Sequence, residues 1–77
     1  MSRVFIHVTE QGTHADQIEI NEATNLLARA RKGELADSFV WAKAKLDIEQ
    51  ANSGTVFQLG GCSMEETCPT LIVMDIY

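Results

Sequence analysis

The residues best equipped for chemistry in this 77-residue chain are two cysteines and two histidines: Cys62, Cys68, His7 and His14. Two thiolates and two imidazoles make up a tetrahedral donor set for a zinc ion. Their spacing does not fit that use. Cys62 and Cys68 have five residues between them, which is neither the redox C-x-x-C nor the paired knuckles of a zinc ribbon. Reduced thiols are the plain expectation, with a disulfide across the loop as the alternative if the two Cα atoms come within about 7 Å. A nucleophilic thiol is disfavoured. Glu65 and Glu66 lie between the cysteines and no Lys or Arg follows Gly54, so the local charge opposes a thiolate.

The remaining candidates are weaker. Thr13, His14 and Asp16 form a polar group from which an acid–base pair can be built, but an exposed loop histidine is the far commoner case and is the expectation here. Gly60-Gly61 follows a strand-like segment. A phosphate loop needs a helix opening after it and a nearby cation, whereas here acidic residues and Pro69 follow, so a plain turn is expected. Arg29, Arg31 and Lys32 cluster where a helix would end and complement its dipole there; Lys43 and Lys45 read as a solvated face. No catalytic residue, cofactor or metal site is assigned.

Composition narrows the class. Net charge is −5 and the pI about 4.7. Nucleic-acid binding rests on Lys and Arg neutralising phosphates, so direct contact with nucleic acid is not expected, nor is an anionic membrane surface. A basic protein partner remains compatible. Apolar residues make up 45% of the chain, enough for a globular fold with a thin stability margin. One compact domain over residues 1–77 is expected. No apolar run approaches the ~20 residues of a membrane span. Met1-Ser2-Arg3 leads directly into a strand, and Val4-Phe5-Ile6 is too short for a signal-peptide core, so a cytoplasmic setting is expected.

The elements that must position these residues follow from periodicity. Arg3 to Thr9 alternates as a strand, with Val4, Ile6 and Val8 on one face and Phe5, His7 and Thr9 on the other. Gln17 to Ile20 pairs with it after a polar connection. Asn21 is a suitable N-cap for a short helix over 22–32, ending at Gly33; a further strand over 26–31 is the competing reading. Glu34 to Ala51 is the long helix, closed by Asn52-Ser53-Gly54. One helix from 22 to 51 would run about 45 Å, so a break near Gly33 is expected. Thr55–Leu59 and Leu71–Tyr77 are strands. The last is apolar on both faces except at Asp75, which places it mid-sheet. The order ββααββ gives an α+β fold, a mainly antiparallel four-stranded sheet with one long and one short helix on one face. Phe5, His7 and part of the last strand are expected on the far face.

The long helix carries two apolar stripes. At 100° per residue, Leu35, Phe39, Ala42 and Leu46 share one face, and Val40, Trp41, Ala44, Ile48 and Ala51 the other. A helix lying on a sheet buries one stripe only. Trp41 belongs to the residue types enriched at interfaces, so Val40, Trp41, Ala44 and Ile48 are a candidate contact stripe of a homodimer; the competing reading is that the helix over 22–32 folds back and covers Trp41 as ordinary core. Asp16, Glu19, Glu22, Glu65 and Glu66 are the expected acidic contacts to a basic partner.

The chain therefore reads as a small acidic, non-enzymatic protein-binding module. In size and charge it is similar to small inhibitor proteins encoded by phages and mobile elements, of the anti-CRISPR or anti-restriction type. The alternatives are a small-ligand or metal-binding domain using Cys62, Cys68, His7 and His14, or a homodimeric enzyme with a site shared between subunits.

Overall fold

The computed structural model describes residues 2–9, 15–60 and 68–77. The elements are β1 (Ser2–Val8), β2 (Ala15–Ile18), α1 (Ile20–Lys32), α2 (Ser38–Gln50), β3 (Val56–Gln58) and β4 (Thr70–Ile76). The strands form one sheet in the order β2-β1-β4-β3, and every neighbouring pair is antiparallel. The α+β class and the ββααββ order agree with expectation. So does the interior position of β4, whose two-sided apolar character suits a strand paired on both edges.

Register decides which residues share a face. Phe5 pairs with Ile18 on one side and Val73 on the other, and Leu71 pairs with His7 and Phe57. Phe5, Leu71 and Val73 are buried together with Ala23, Leu27 and Ala28 of α1 and Ala44 and Ile48 of α2. Ile18, Phe57 and Leu59 pack against this cluster. Both helices therefore cover the face that carries Arg3, Phe5 and His7. This corrects the expectation that Phe5 and His7 lie on the far side; Val4, Ile6 and Val8 lie there instead.

The helices begin and end where local chemistry dictates. Ile20 packs against the core, which draws the start of α1 back to Ile20, two residues before the predicted 22; Asn21 lies inside the helix rather than capping it. The last turn holds Arg29, Arg31 and Lys32, which complement the C-terminal partial charge. Gly33 ends the helix at φ 87°, a left-handed conformation suited to glycine, and its N–H donates to the Arg29 carbonyl at 2.6 Å. The second helix is shorter than predicted. Asp37 accepts from the Val40 N–H at 2.8 Å, so the helix starts at Ser38 and Leu35 stays outside it. Gly54, at φ 92°, turns the chain into β3, and its N–H donates to the Val73 carbonyl.

Charged side chains tie the layers together. Asp47 of α2 accepts from Arg31 of α1 at 2.7 Å and from Lys43, one turn earlier, at 2.9 Å. Both cations hold the Asp47 carboxyl below the usual aspartate range, Lys43 contributing more than Arg31. Thr24, the one fully buried polar residue among those described, donates its hydroxyl to the Ile20 carbonyl at 2.6 Å.

The two stripes of α2 exchange their expected roles. Ala44 and Ile48 are fully buried, and Val40, Trp41 and Ala51 pack on the core. Val40, Trp41, Ala44 and Ile48 are thus core rather than a contact stripe. Leu35 and Phe39 are 91% and 79% exposed, and Leu46 is exposed with them. The cause is size. Ala23 and Ala28 of α1 and Ala44 of α2 lie in the same core, and small side chains let two helices approach closely over one sheet face.

Candidate functional site

Two surface features stand apart from the core. The first is the far face of the sheet. Alternation places Val4, Ile6 and Val8 of β1, Ile72, Met74 and Ile76 of β4 and Val56 of β3 on that side. Ile6 pairs with Ile72, which pairs in turn with Val56, and Val4 pairs with Met74. These cross-strand neighbours form one continuous apolar surface. Ala15, Gln17, Gln58, Ser2 and Thr70 complete the described face, and no charged side chain stands on it. Val56 is 54% exposed, and Met74 and Ile76 are exposed as well. An antiparallel sheet with one solvated side ordinarily turns polar residues outward; this one does not.

The molecule's shape carries the same message. Its Cα envelope measures 35 × 31 × 16 Å, thin enough for one helix layer on one sheet.

The second feature is a cavity of about 350 Å³ on the helix side. Its sheet wall is His7, Leu59 and Pro69; its helix wall is Leu26, Arg29 and Ala30, followed by Gly33 and Glu34. The Leu59 N–H donates to the Pro69 carbonyl at 2.9 Å, which carries the pairing of β3 and β4 past their ends and shapes the floor. The C-terminal turn of α1 leans over this end of the sheet. His7 lines the cavity from the same register row as Leu71 and Phe57.

At the opposite end of the sheet, Arg3 bridges β1, β4 and α2. Its Nε donates to Asp75 Oδ1 at 2.7 Å and its Nη2 to Oδ2 at 3.2 Å, while Nη1 donates to the Glu49 carbonyl at 2.9 Å. The hydrogen bond from Arg3 holds the Asp75 carboxyl below its ordinary range, and the same bond raises the Arg3 guanidinium. This is a structural clamp. It closes the last carbonyls of α2, which no following residue caps.

The remaining sequence candidates are placed as follows. Asp16, Glu19 and Glu22 are exposed around the junction of β2 and α1. Glu65, Glu66, His14 and Cys62 lie outside the described residues. Cys68 is disulfide-bonded, the alternative to the reduced thiol expected. Among the described residues no three His, Cys, Asp or Glu side chains come together as a metal site. No described helix is long and apolar enough to cross a membrane.

Sequence reasoning anticipated apolar surface on the far face of the sheet, though with Phe5 and His7 on it, and missed the cavity. The two-sided apolar character of β4 was the signal for the open sheet face. Nothing local links Arg29 to His7, since the cavity exists only because the end of α1 meets the ends of β1, β3 and β4. No protein-family model, curated protein or solved structure matches the chain.

Proposed function

We propose that this chain is a small acidic, non-enzymatic protein-binding module that pairs with a second copy of itself through the open face of its sheet. The observation that carries the reading is the run Val4, Ile6, Val8, Val56, Ile72, Met74 and Ile76 on a face where no charged side chain stands among the described residues. Large exposed apolar patches on small proteins mark contact sites, and small domains commonly complete their burial by oligomerising.

The choice of a second copy rests on charge. Each chain carries −5, so two copies repel unless the touching surfaces are neutral. Among the described residues the sheet face is neutral, and a basic protein would find no carboxylate of theirs there to pair with. A twofold axis through the face would set each uncharged row against the same row of the partner. The exposed stripe of Leu35, Phe39 and Leu46 is less suited, because Lys43, Asp47 and Lys45 flank it. Dimerisation leaves Asp16, Glu19 and Glu22 outward, where they offer acidic contacts to a basic protein. That division of labour fits a small inhibitor of the kind phages and mobile elements encode.

Light scattering coupled to size exclusion, over a range of protein concentrations, tests the proposal. The expected mass is twice the 8.5 kDa of one chain. Met74→Lys and Val56→Lys should return the monomer with the circular dichroism spectrum unchanged. A monomer at every concentration, or a dimer untouched by both changes, would overturn it.

A further inference from the structure

The cavity under the C-terminal turn of α1 has the chemistry of a ligand site, and it lies on the opposite side of the sheet from the proposed dimer face. At about 350 Å³ it stands at the lower end of the range for small-molecule sites, ~300–1,000 Å³. Its walls are apolar at Leu26, Leu59 and Pro69. Three residues with polar side chains are among those that line it, His7 on the sheet side and the exposed Arg29 and Glu34 at the rim.

These three groups are unengaged. Among the described residues Arg3 is paired with Asp75 and Arg31 with Asp47, whereas the Arg29 guanidinium has neither an ion pair nor a hydrogen bond. The Glu34 carboxylate and the His7 imidazole likewise make no side-chain bond. A positive and a negative group at the rim of one apolar cavity, neither used by the fold, select a ligand that carries both charges.

We propose that this cavity binds a small zwitterion with an apolar body, an α-amino acid with an apolar side chain. Its carboxylate meets the Arg29 guanidinium, which is built to accept a carboxylate on two N–H donors. Its ammonium meets Glu34 beside the last carbonyls of α1, the negative end of the helix dipole. The side chain enters between Leu26 and Leu59, and His7 supplies a further hydrogen bond from the floor. Charge decides against a simple anion. The chain's −5 repels one, and Glu34 would oppose it at the rim, whereas a zwitterion carries no net charge into that field.

Three probes separate the possibilities: L-phenylalanine, 3-phenylpropanoate, which lacks the ammonium, and 2-phenylethylamine, which lacks the carboxylate. Each is titrated into isotope-labelled protein and followed by amide and methyl chemical shifts. Phenylalanine is expected to give saturable shifts at Leu26, Ala30 and Leu59, with the other two at least about tenfold weaker, since each lacks one charge-assisted contact. Arg29→Gln and Glu34→Gln are surface changes that leave the fold intact, and each should weaken phenylalanine about tenfold. Ala30→Leu should fill the cavity and abolish the shifts. Three results would overturn the assignment: no saturable shift with phenylalanine, equal binding of either single-charge probe, or phenylalanine binding unchanged in either glutamine variant.

Discussion

Arg3 and Asp75 face each other across β1 and β4 and form a two-point ion pair, and the same guanidinium reaches the Glu49 carbonyl at the end of α2. One side chain from the first strand thus fixes the last strand and one helix end.

A pH dependence follows from that clamp. Asp75 is held below its ordinary value chiefly by the hydrogen bond from Arg3. A carboxyl with a depressed folded-state value stabilises the fold fully above the unfolded aspartate value of about 3.9, and that contribution fades as pH falls through the folded value. Asp47, depressed by Lys43 and Arg31, acts in the same sense. Asp75→Asn should therefore unfold at lower urea than the parent chain near neutrality. The gap between the two should close as pH drops below about 4. Urea midpoints measured along a pH series check this; a gap independent of pH would mean that Asp75 contributes through packing alone.

Asp37 offers a test of the helix boundary. Its carboxylate accepts from the Val40 N–H and sets the start of α2 at Ser38. Asp37→Ala should cost about 1 kcal/mol, with Asp37→Ser recovering most of it because a serine hydroxyl can accept the same bond. Chemical denaturation of the two variants decides between this cap and a helix that starts earlier, as the apolar spacing from Glu34 suggests.

Much of the architecture was legible from single residues. Gly33 marked the break between helices because it alone in that region tolerates positive φ, and Asp75 stood out in β4 as the one charge in an apolar strand. Two choices of side were not legible. In β1 the uniform set Val4, Ile6 and Val8 looks more core-like than Arg3, Phe5 and His7, yet the mixed set faces the helices. Arg3 finds Asp75 and a helix end at one edge of that layer, and Phe5 fills its centre between Ile18 and Val73. In α2 both stripes are apolar, so periodicity cannot choose between them. The choice is made by the small residues of α1, which belong to a different segment of the chain. The cavity is further from the sequence still, since Arg29, His7 and Leu59 meet only in the folded chain.

The exchange of the two stripes of α2 is itself testable. Ile48 is fully buried and Phe39 is mostly exposed. Ile48→Ala should cost about 2–5 kcal/mol, from lost transfer energy and the cavity left behind. Phe39→Ala should stay within about 0.5 kcal/mol, as surface changes do. The opposite ranking in urea denaturation would mean that α2 is rotated to bury Phe39 and Leu46. The stripe of Val40, Trp41, Ala44 and Ile48 would then return as a candidate contact surface beside the open face of the sheet.

Salt separates the neutral sheet face from the acidic surface as the seat of self-association. A contact made by Val4, Ile6, Ile72 and Met74 involves no ion pair, so sodium chloride has no attraction there to screen. It screens only the repulsion between two chains of charge −5, and so should tighten the dimer slightly. Sulfate should tighten it further by strengthening apolar burial, and cooling should loosen it, because the driving force is hydrophobic. Light scattering at low and high salt, with and without sulfate and at two temperatures, reads all of these. Dissociation by added sodium chloride would place the contact on Asp16, Glu19 or Glu22 of one copy and the basic end of α1 of the other. In that case the Met74→Lys dimer should survive, and a Glu22→Gln variant should lose the salt response in its place.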